Sequence, residues 1–207
     1  SRGIATEDSV YDPKQREEWL RKLPVRMQTA ADSLLRQYDV VEPLRRESEK
    51  TMVAEARKAP ISKLLATVPG LGPIRVANLL AIIVSPRRFR TRRQLWEYSG
   101  LGVVMRSSSD WVQGDDGKWR KGQVQQTRGL NRHHNHELKS IFKGAATTVI
   151  GQARKDCPLY QHYVAMLNNK IKPNLAKLTI ARQIAAITLS LWKKEARYDP
   201  AKLTKNS

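Results

Sequence analysis

"LLATVPGLGPIRVANLLAII", residues 64–83, sets two apolar runs on either side of Pro-Gly-Leu-Gly-Pro. An apolar helix, a glycine-bounded turn and a second helix with proline at its first position form a helix-hairpin-helix pattern. Gly70 and Gly72 permit a tight turn around Leu71 and a close approach of backbone to a neighbour. If that neighbour is a phosphate, the amides opening the second helix point at an anion, with Arg75 one turn further on. Such a unit grips sugar-phosphate without reading bases. A Gly-Pro turn between two packed helices gives the same pattern, and Val76 stands where a smaller residue is usual.

Charge favours the phosphate. The 207 residues hold 38 Lys and Arg against 19 Asp and Glu, a net +19. The surplus is uneven. Residues 1–12 carry −2 (1 basic, 3 acidic), and residues 13–62 carry +3 (11 minus 8). Residues 63–155 carry +12 (17 minus 5), and the remainder adds +6 (9 minus 3). The field therefore centres on the middle of the chain, where a polyanion would be met. A ribosomal-type basic protein would show a similar total. Arg87, Arg88, Arg90, Arg92 and Arg93 follow the second helix in "SPRRFRTRR" and extend a phosphate-binding face.

At 40% apolar residues the chain can bury a core. Cys157 is its only cysteine, which excludes an internal disulfide and a cysteine-rich zinc site and suits a reducing cytoplasm. No apolar run is long enough to span a membrane, and no signal peptide is evident.

Upstream, Asp12-Pro13 is a helix start. Leu20, Leu23, Met27, Ala30, Leu34, Tyr38, Val41 and Leu44 then recur at spacings of three and four, an apolar stripe on long helix. Pro24 and Pro43 predict breaks or kinks in it. A coiled-coil arm that pairs two copies and a helix packed on its own domain both fit. Downstream, helices are expected over 61–67, 73–84, 92–99, 135–154, 158–169 and 175–195. Thr91 and Gln94 have capping-box spacing. "GLGVVM" is expected as an extended piece, and "DWVQGDDGKWRKGQV" as a hairpin turning at Asp116-Gly117. The fold class is mostly α: a helical arm over 1–60, then a compact helical domain over 61–207. That domain holds the helix-hairpin-helix unit (61–84), a serine-bearing loop (102–131) and a small β-hairpin.

His133, His134 and His136 beside Asn131 and Asn135 raise a metal site. Their spacing does not put the histidines on one helical face, and no metal is assigned. Phosphate contacts from Arg128, Arg132 and nearby amides are the better use. Ser107, Ser108 and Ser109 form a run beside Arg106, with Arg128, Arg132, Lys139 and Lys143 downstream. Those cations suit a pentacovalent phosphate, but no general base is visible, and local chemistry alone makes the serines a loop.

Taken in order, "LATVPGLGP", "SPRRFRTRRQLWEYSGLGVV", "RSSSDW", "NHELKSIFKGAA", "CPLYQHYVAML", "IARQIAAITLSLW" and "YDP" resemble the C-terminal transposase domain of the insertion-sequence-110 and Piv-invertase family. The ordered set spans 64–200, and the upstream helices resemble the family's helical linker. The resemblance implies a site-specific DNA transposase or recombinase. Aligning Tyr98, Gly100 and Leu101 places the family's proposed serine nucleophile at Ser108, with Ser107 and Ser109 as one-residue alternatives. The family's Lys/Arg-Gly-Asn motif falls on Arg128, Gly129 and Asn131, or on Asn135 with Leu138 and Lys139.

Family members also carry an N-terminal RNase-H-like domain whose four acidic residues hold Mg²⁺. No such set occurs here, since Asp8, Asp12 and Asp32 sit in linker or helix context. This chain alone is therefore expected to bind nucleic acid without cleaving or joining it. Insertion-sequence members use a guide (bridge) RNA, so the implied partners are DNA, that RNA and a second copy of the chain through the helical arm. A non-catalytic nucleic-acid-binding module is the alternative. A repair glycosylase is weaker, because residues 85–93 supply arginines where its catalytic Lys or Asp would lie.

Overall fold

The computed structural model describes residues 10–106, 111–121, 126–152 and 156–201. It is mostly α-helical and divides into two compact units, Ser1–Met52 and Val53–Ser207.

The first unit holds α1 (Pro13–Arg21) and most of α2 (Val25–Lys58). Asp12 caps α1 by accepting from the Lys14 amide at 3.0 Å, with Pro13 at the first position. The chain breaks at Pro24, as expected. It does not break at Pro43, which lies inside α2. Proline forfeits a ladder bond wherever it sits in a helix, but this one is exposed, where water can meet the freed carbonyl, and ion pairs run along the helix past it. Glu42 accepts from Arg45 at 2.7 and 2.8 Å and from Arg46 at 2.8 Å, and Arg45 also pairs with Glu49. Arg16 clasps Asp39 through both guanidinium nitrogens at 2.5 and 2.9 Å, and Tyr11 packs on Tyr38 with ring centroids 4.9 Å apart. Those contacts fold α1 back on α2. Yet of the apolar stripe, Leu34, Val41 and Leu44 remain well exposed.

The second unit is built around α8 (Pro173–Lys194), which buries Ala176, Ile180, Ala181, Ile184, Ala185, Thr188, Leu189 and Trp192. Its alanines let α6 (His136–Gln152) approach closely with Leu138, Phe142, Ala145, Ala146 and Val149. Around this pair lie α3 (Ile61–Leu65), α4 (Pro73–Ile83), α5 (Arg92–Tyr98) and α7 (Pro158–Asn168), sharing one core cluster. A 3₁₀ turn, Pro86–Arg88, links α4 to α5, and the capping box of Thr91 and Gln94 fixes the start of α5. The tail returns to α3: the Tyr198 amide donates to Thr67 at 2.9 Å, and burial pushes the Tyr198 phenol up to about 12.

Four short strands lie between α5 and α6. β1 (Val103–Arg106) pairs antiparallel with β4 (Gln126–Leu130), and β2 (Trp111–Gln113) pairs antiparallel with β3 (Trp119–Lys121). The inner hairpin turns at Asp116-Gly117 as its sequence predicts. The outer ladder was not foreseen. Its register runs from Val103↔Leu130 to Met105↔Thr127, one extra residue on β4, and Gly129 at φ +79° accommodates the bulge.

The Glu42 carboxyl is lowered to about 2, first by the hydrogen bond from Arg45 and then by that from Arg46. A carboxylate depressed in the folded state stabilises it above its ordinary pKa, and that support is lost as pH falls toward the folded value. Circular dichroism of the chain should show a helical component lost between about pH 4.5 and 2. Glu42→Gln should remove that component. An identical acid titration for the variant would contradict the assignment.

Candidate nucleic-acid interface

The Val68–Leu71 turn joins α3 to α4. Gly70 has φ +81°, and a Cβ built there would collide with the backbone carbonyl of Ala145 in α6. Its close approach is therefore to protein. Gly72 differs: it caps α4 at φ −72°, and a Cβ there would meet nothing within 4 Å. The turn's open side is at Gly72 and the first-turn amides of α4, which have no intrahelical acceptor. Leu71 is buried. Arg75 donates to the Gly70 carbonyl at 2.7 Å and to the Thr148 hydroxyl at 3.0 Å, so it staples the turn to α6. Val76 is buried beside Ala77.

The arginines after α4 divide by role. Arg88 donates to the carbonyls of Ile82 and Ile83 at 3.0 and 3.2 Å and lies over the Phe89 and Tyr98 rings. It closes the C-terminus of α4. Arg92 lies over Trp96, with its guanidinium carbon 5.5 Å from the ring centroid. Arg87 and Arg90 are exposed over a concavity of about 550 Å³ shared with Pro86, Trp192, Lys193 and Glu195. Lys193 reaches across from α8 to donate to the carbonyls of Phe89 and Arg90, at 2.5 and 3.1 Å. Arg93 is exposed on α5.

A second concavity, about 350 Å³, runs along the outer face of α6 between His136, Lys139, Ser140, Lys143, Gly144 and Thr147. Lys143 is exposed, and Lys139 is half-buried with Nζ 3.3 Å from His134 Nε2. A Cβ at Gly144 would press on the Arg75 guanidinium, so this groove and the turn share a wall. Small side chains with two lysines leave an open, cationic strip.

The strands are rooted beside the N-terminus of α6. Asn135 caps that helix, accepting from the Leu138 amide at 2.9 Å, while its own amide donates to Tyr98 at 2.9 Å. The Asn131 side chain accepts from the His133 amide at 3.0 Å and donates to the Glu97 carbonyl at 3.5 Å; its amide donates to Gly102 at 3.2 Å. Gly100, at φ +66°, faces the His134 ring with no room for a Cβ. Both asparagines thus hold backbone, and Arg132 is exposed between them. The His134 and His136 rings lie 4.4 Å apart. Among the described residues no group of three or more His, Cys, Asp or Glu is arranged to hold a metal.

Arg106 ends β1 and Arg128 lies in β4. Ser107, Ser108 and Ser109 lie outside the described residues. Arg182 was missed by the sequence reading. Its Nε donates to the Leu101 carbonyl at 2.7 Å, and its own carbonyl accepts from the Trp96 indole at 2.9 Å. Burial lowers its pKa from the ordinary arginine value. The signal was present, a lone arginine in the apolar run "TIARQIAA".

Residues 62–162 match the model of the transposase IS116/IS110/IS902 family, from the start of α3 into α7. No curated protein matches the chain. Among the described residues no helix is long and apolar enough to cross a membrane.

The two glycines of the turn should separate on substitution. Gly70→Ala meets both the positive φ and the Ala145 carbonyl, and should cost ~2 kcal/mol or more, lowering the thermal midpoint by roughly 4–8 °C. Gly72→Ala should stay within ~0.5 kcal/mol. Equal losses in scanning calorimetry would contradict the close packing of the turn on α6.

Proposed function

We propose, on the match of residues 62–162 to the transposase IS116/IS110/IS902 family, that this chain supplies the DNA grip and the serine nucleophile of a site-specific recombinase. The observation that carries the first half is the cationic strip on α6, where Lys139 and Lys143 line a groove that reaches the Arg75 guanidinium at Gly144. Duplex DNA is the partner a transposase implies, and that strip offers it charge without base-reading groups. Arg87 and Arg90 add a second basic surface, and Arg132 stands exposed at the start of α6.

The nucleophile is Ser108, with Ser107 and Ser109 as register alternatives. The resemblance of "YSGL…RSSSDW" to the family's serine segment supports this role. The oxygen of the serine bonds to phosphorus as one P–O bond to deoxyribose breaks. The departing sugar oxygen takes up a proton and the serine gives one up, so the phosphodiester is exchanged for a phosphoserine ester. Attack by the hydroxyl of another strand reverses the exchange and conserves the bond energy for rejoining. Arginines near a transferring phosphoryl group stabilise its charge; Arg106 adjoins the serine segment in the chain, and Arg128 lies in β4, the strand paired with β1.

Guide RNA as the selector of target, and pairing of two copies through α2, belong to the same proposal. Exposed Leu34, Val41 and Leu44 on α2 support the pairing. A non-catalytic nucleic-acid module would use the same α6 strip.

The decisive comparison is Ser108→Ala in the transposase that carries this chain, assayed for recombination and for a covalent protein–DNA adduct. Loss of both, by about 10³-fold or more in rate, with duplex binding retained, is expected. Undiminished recombination would remove Ser108 from the role. Loss transferred to Ser107→Ala or Ser109→Ala would move it by one residue.

A further inference from the structure

The inner β-hairpin presents two tryptophans that the fold does not use. Trp111 and Trp119 are 61% and 62% exposed, while Trp192 is buried at 7%. Neither belongs to the core cluster or to the apolar residues packed against it. The register pairs Trp111 with Lys121 and Gln113 with Trp119. Alternation along a strand puts Trp111 and Gln113 on one face, and Trp119, opposite Gln113, shares that face. The indoles are therefore diagonal neighbours, roughly 7–8 Å apart at the backbone. Among the described residues neither ring packs against another aromatic ring. That separation is about two nucleotide steps of ~3.4 Å, enough for a base to enter beside each ring.

Charge narrows the occupant. Residues 111–121 hold Lys118, Arg120 and Lys121 against Asp115 and Asp116, a surplus of +1 (3 minus 2). Asp116 is paired with Arg120 at 2.5 Å. The strands of the outer ladder add Arg106 and Arg128. A partner for two open indoles on a mildly basic hairpin of a chain with net charge +19 is best one that combines apolar faces with negative charge. Duplex DNA has the charge but keeps its base faces stacked inside. Unpaired DNA offers both, and stacking on aromatic side chains is tolerant of sequence.

We propose that the Trp111/Trp119 face of the β2–β3 hairpin is a stacking platform for unpaired DNA bases, of the kind strand exchange exposes. This rests on the reading of the chain as a DNA-handling transposase component, and adds a distinct substrate form. The α6 strip holds duplex backbone, and the hairpin captures nucleotides that have left the duplex.

The test measures binding of the chain to a labelled oligothymidylate, to the same length of oligouridylate and to a duplex of equal length. Gel filtration accompanies each sample. In the unaltered chain, oligothymidylate should quench tryptophan fluorescence. The double variant Trp111→Ala, Trp119→Ala should lose about 10-fold or more of its single-strand DNA affinity. Duplex affinity should hold within about twofold, and the pair Trp111→Phe, Trp119→Phe should restore most of the loss. Absence of quenching, or equal loss on duplex and single strand, overturns the platform. A tryptophan-dependent preference for oligouridylate overturns its assignment to DNA. A change in oligomeric state without a change in single-strand affinity assigns the face to a second copy instead. No binding of either DNA form by the unaltered chain overturns the DNA-handling reading and this proposal with it. Duplex binding without tryptophan-dependent capture overturns this proposal alone.

Discussion

At Gly70 the backbone of the turn runs so close to the Ala145 carbonyl that no side chain fits between them. That approach fixes the turn between α3 and α4 on α6. Arg75 closes the contact by bonding the Gly70 carbonyl and Thr148 together. The cost of holding a residue at positive φ is small for glycine and about 1–2 kcal/mol for any other residue. Packing of α6 on the alanines of α8 then carries the assembly into the core. The outward face of α6 is left free of core duty, and Lys139 and Lys143 line the groove along it.

The same helix organises the strands from its other end. Asn135 caps α6 and bonds Tyr98; Asn131 bonds Glu97 and Gly102; His134 fills the space a side chain at Gly100 would need. Arg182 holds Leu101 from below. Together these tie residues 97–102 to residues 131–135, the two roots of the β1–β4 ladder. The serine nucleophile proposed above would need such roots, because a misplacement of about 1 Å can cost ~100-fold in rate.

Much of this was legible in local sequence. Asp12-Pro13, Thr91 with Gln94 and Asp116-Gly117 encode caps and a turn through contacts within four residues, and all three formed as expected. The helices followed their apolar periods to within about two residues at most ends. Long-range pairing was not legible. Nothing in "QVQQTRGL" marks β4 as the partner of "VVMR", because the pairing is long-range and depends on a bulge at Gly129. Gly70 was read as a seat for phosphate when its neighbour is α6, a distinction that depends on where a third helix packs. Arg88 and Arg75 were grouped with free cations for the same reason. Their acceptors are backbone carbonyls exposed by the fold. Pro43 passed through α2 because it is exposed to water and ion pairs run along the helix past it.

The account depends most on the α6 strip as a duplex backbone site, and the salt dependence of binding measures that directly. Each lysine that neutralises a phosphate should contribute about one unit to the slope of log K against log salt. Duplex titrations of the chain and of the double variant Lys139→Ala, Lys143→Ala across a range of salt should give a variant slope smaller by about two, on every sequence tried. An unchanged slope, with affinity lowered by a constant factor at every salt, would contradict phosphate contact on α6.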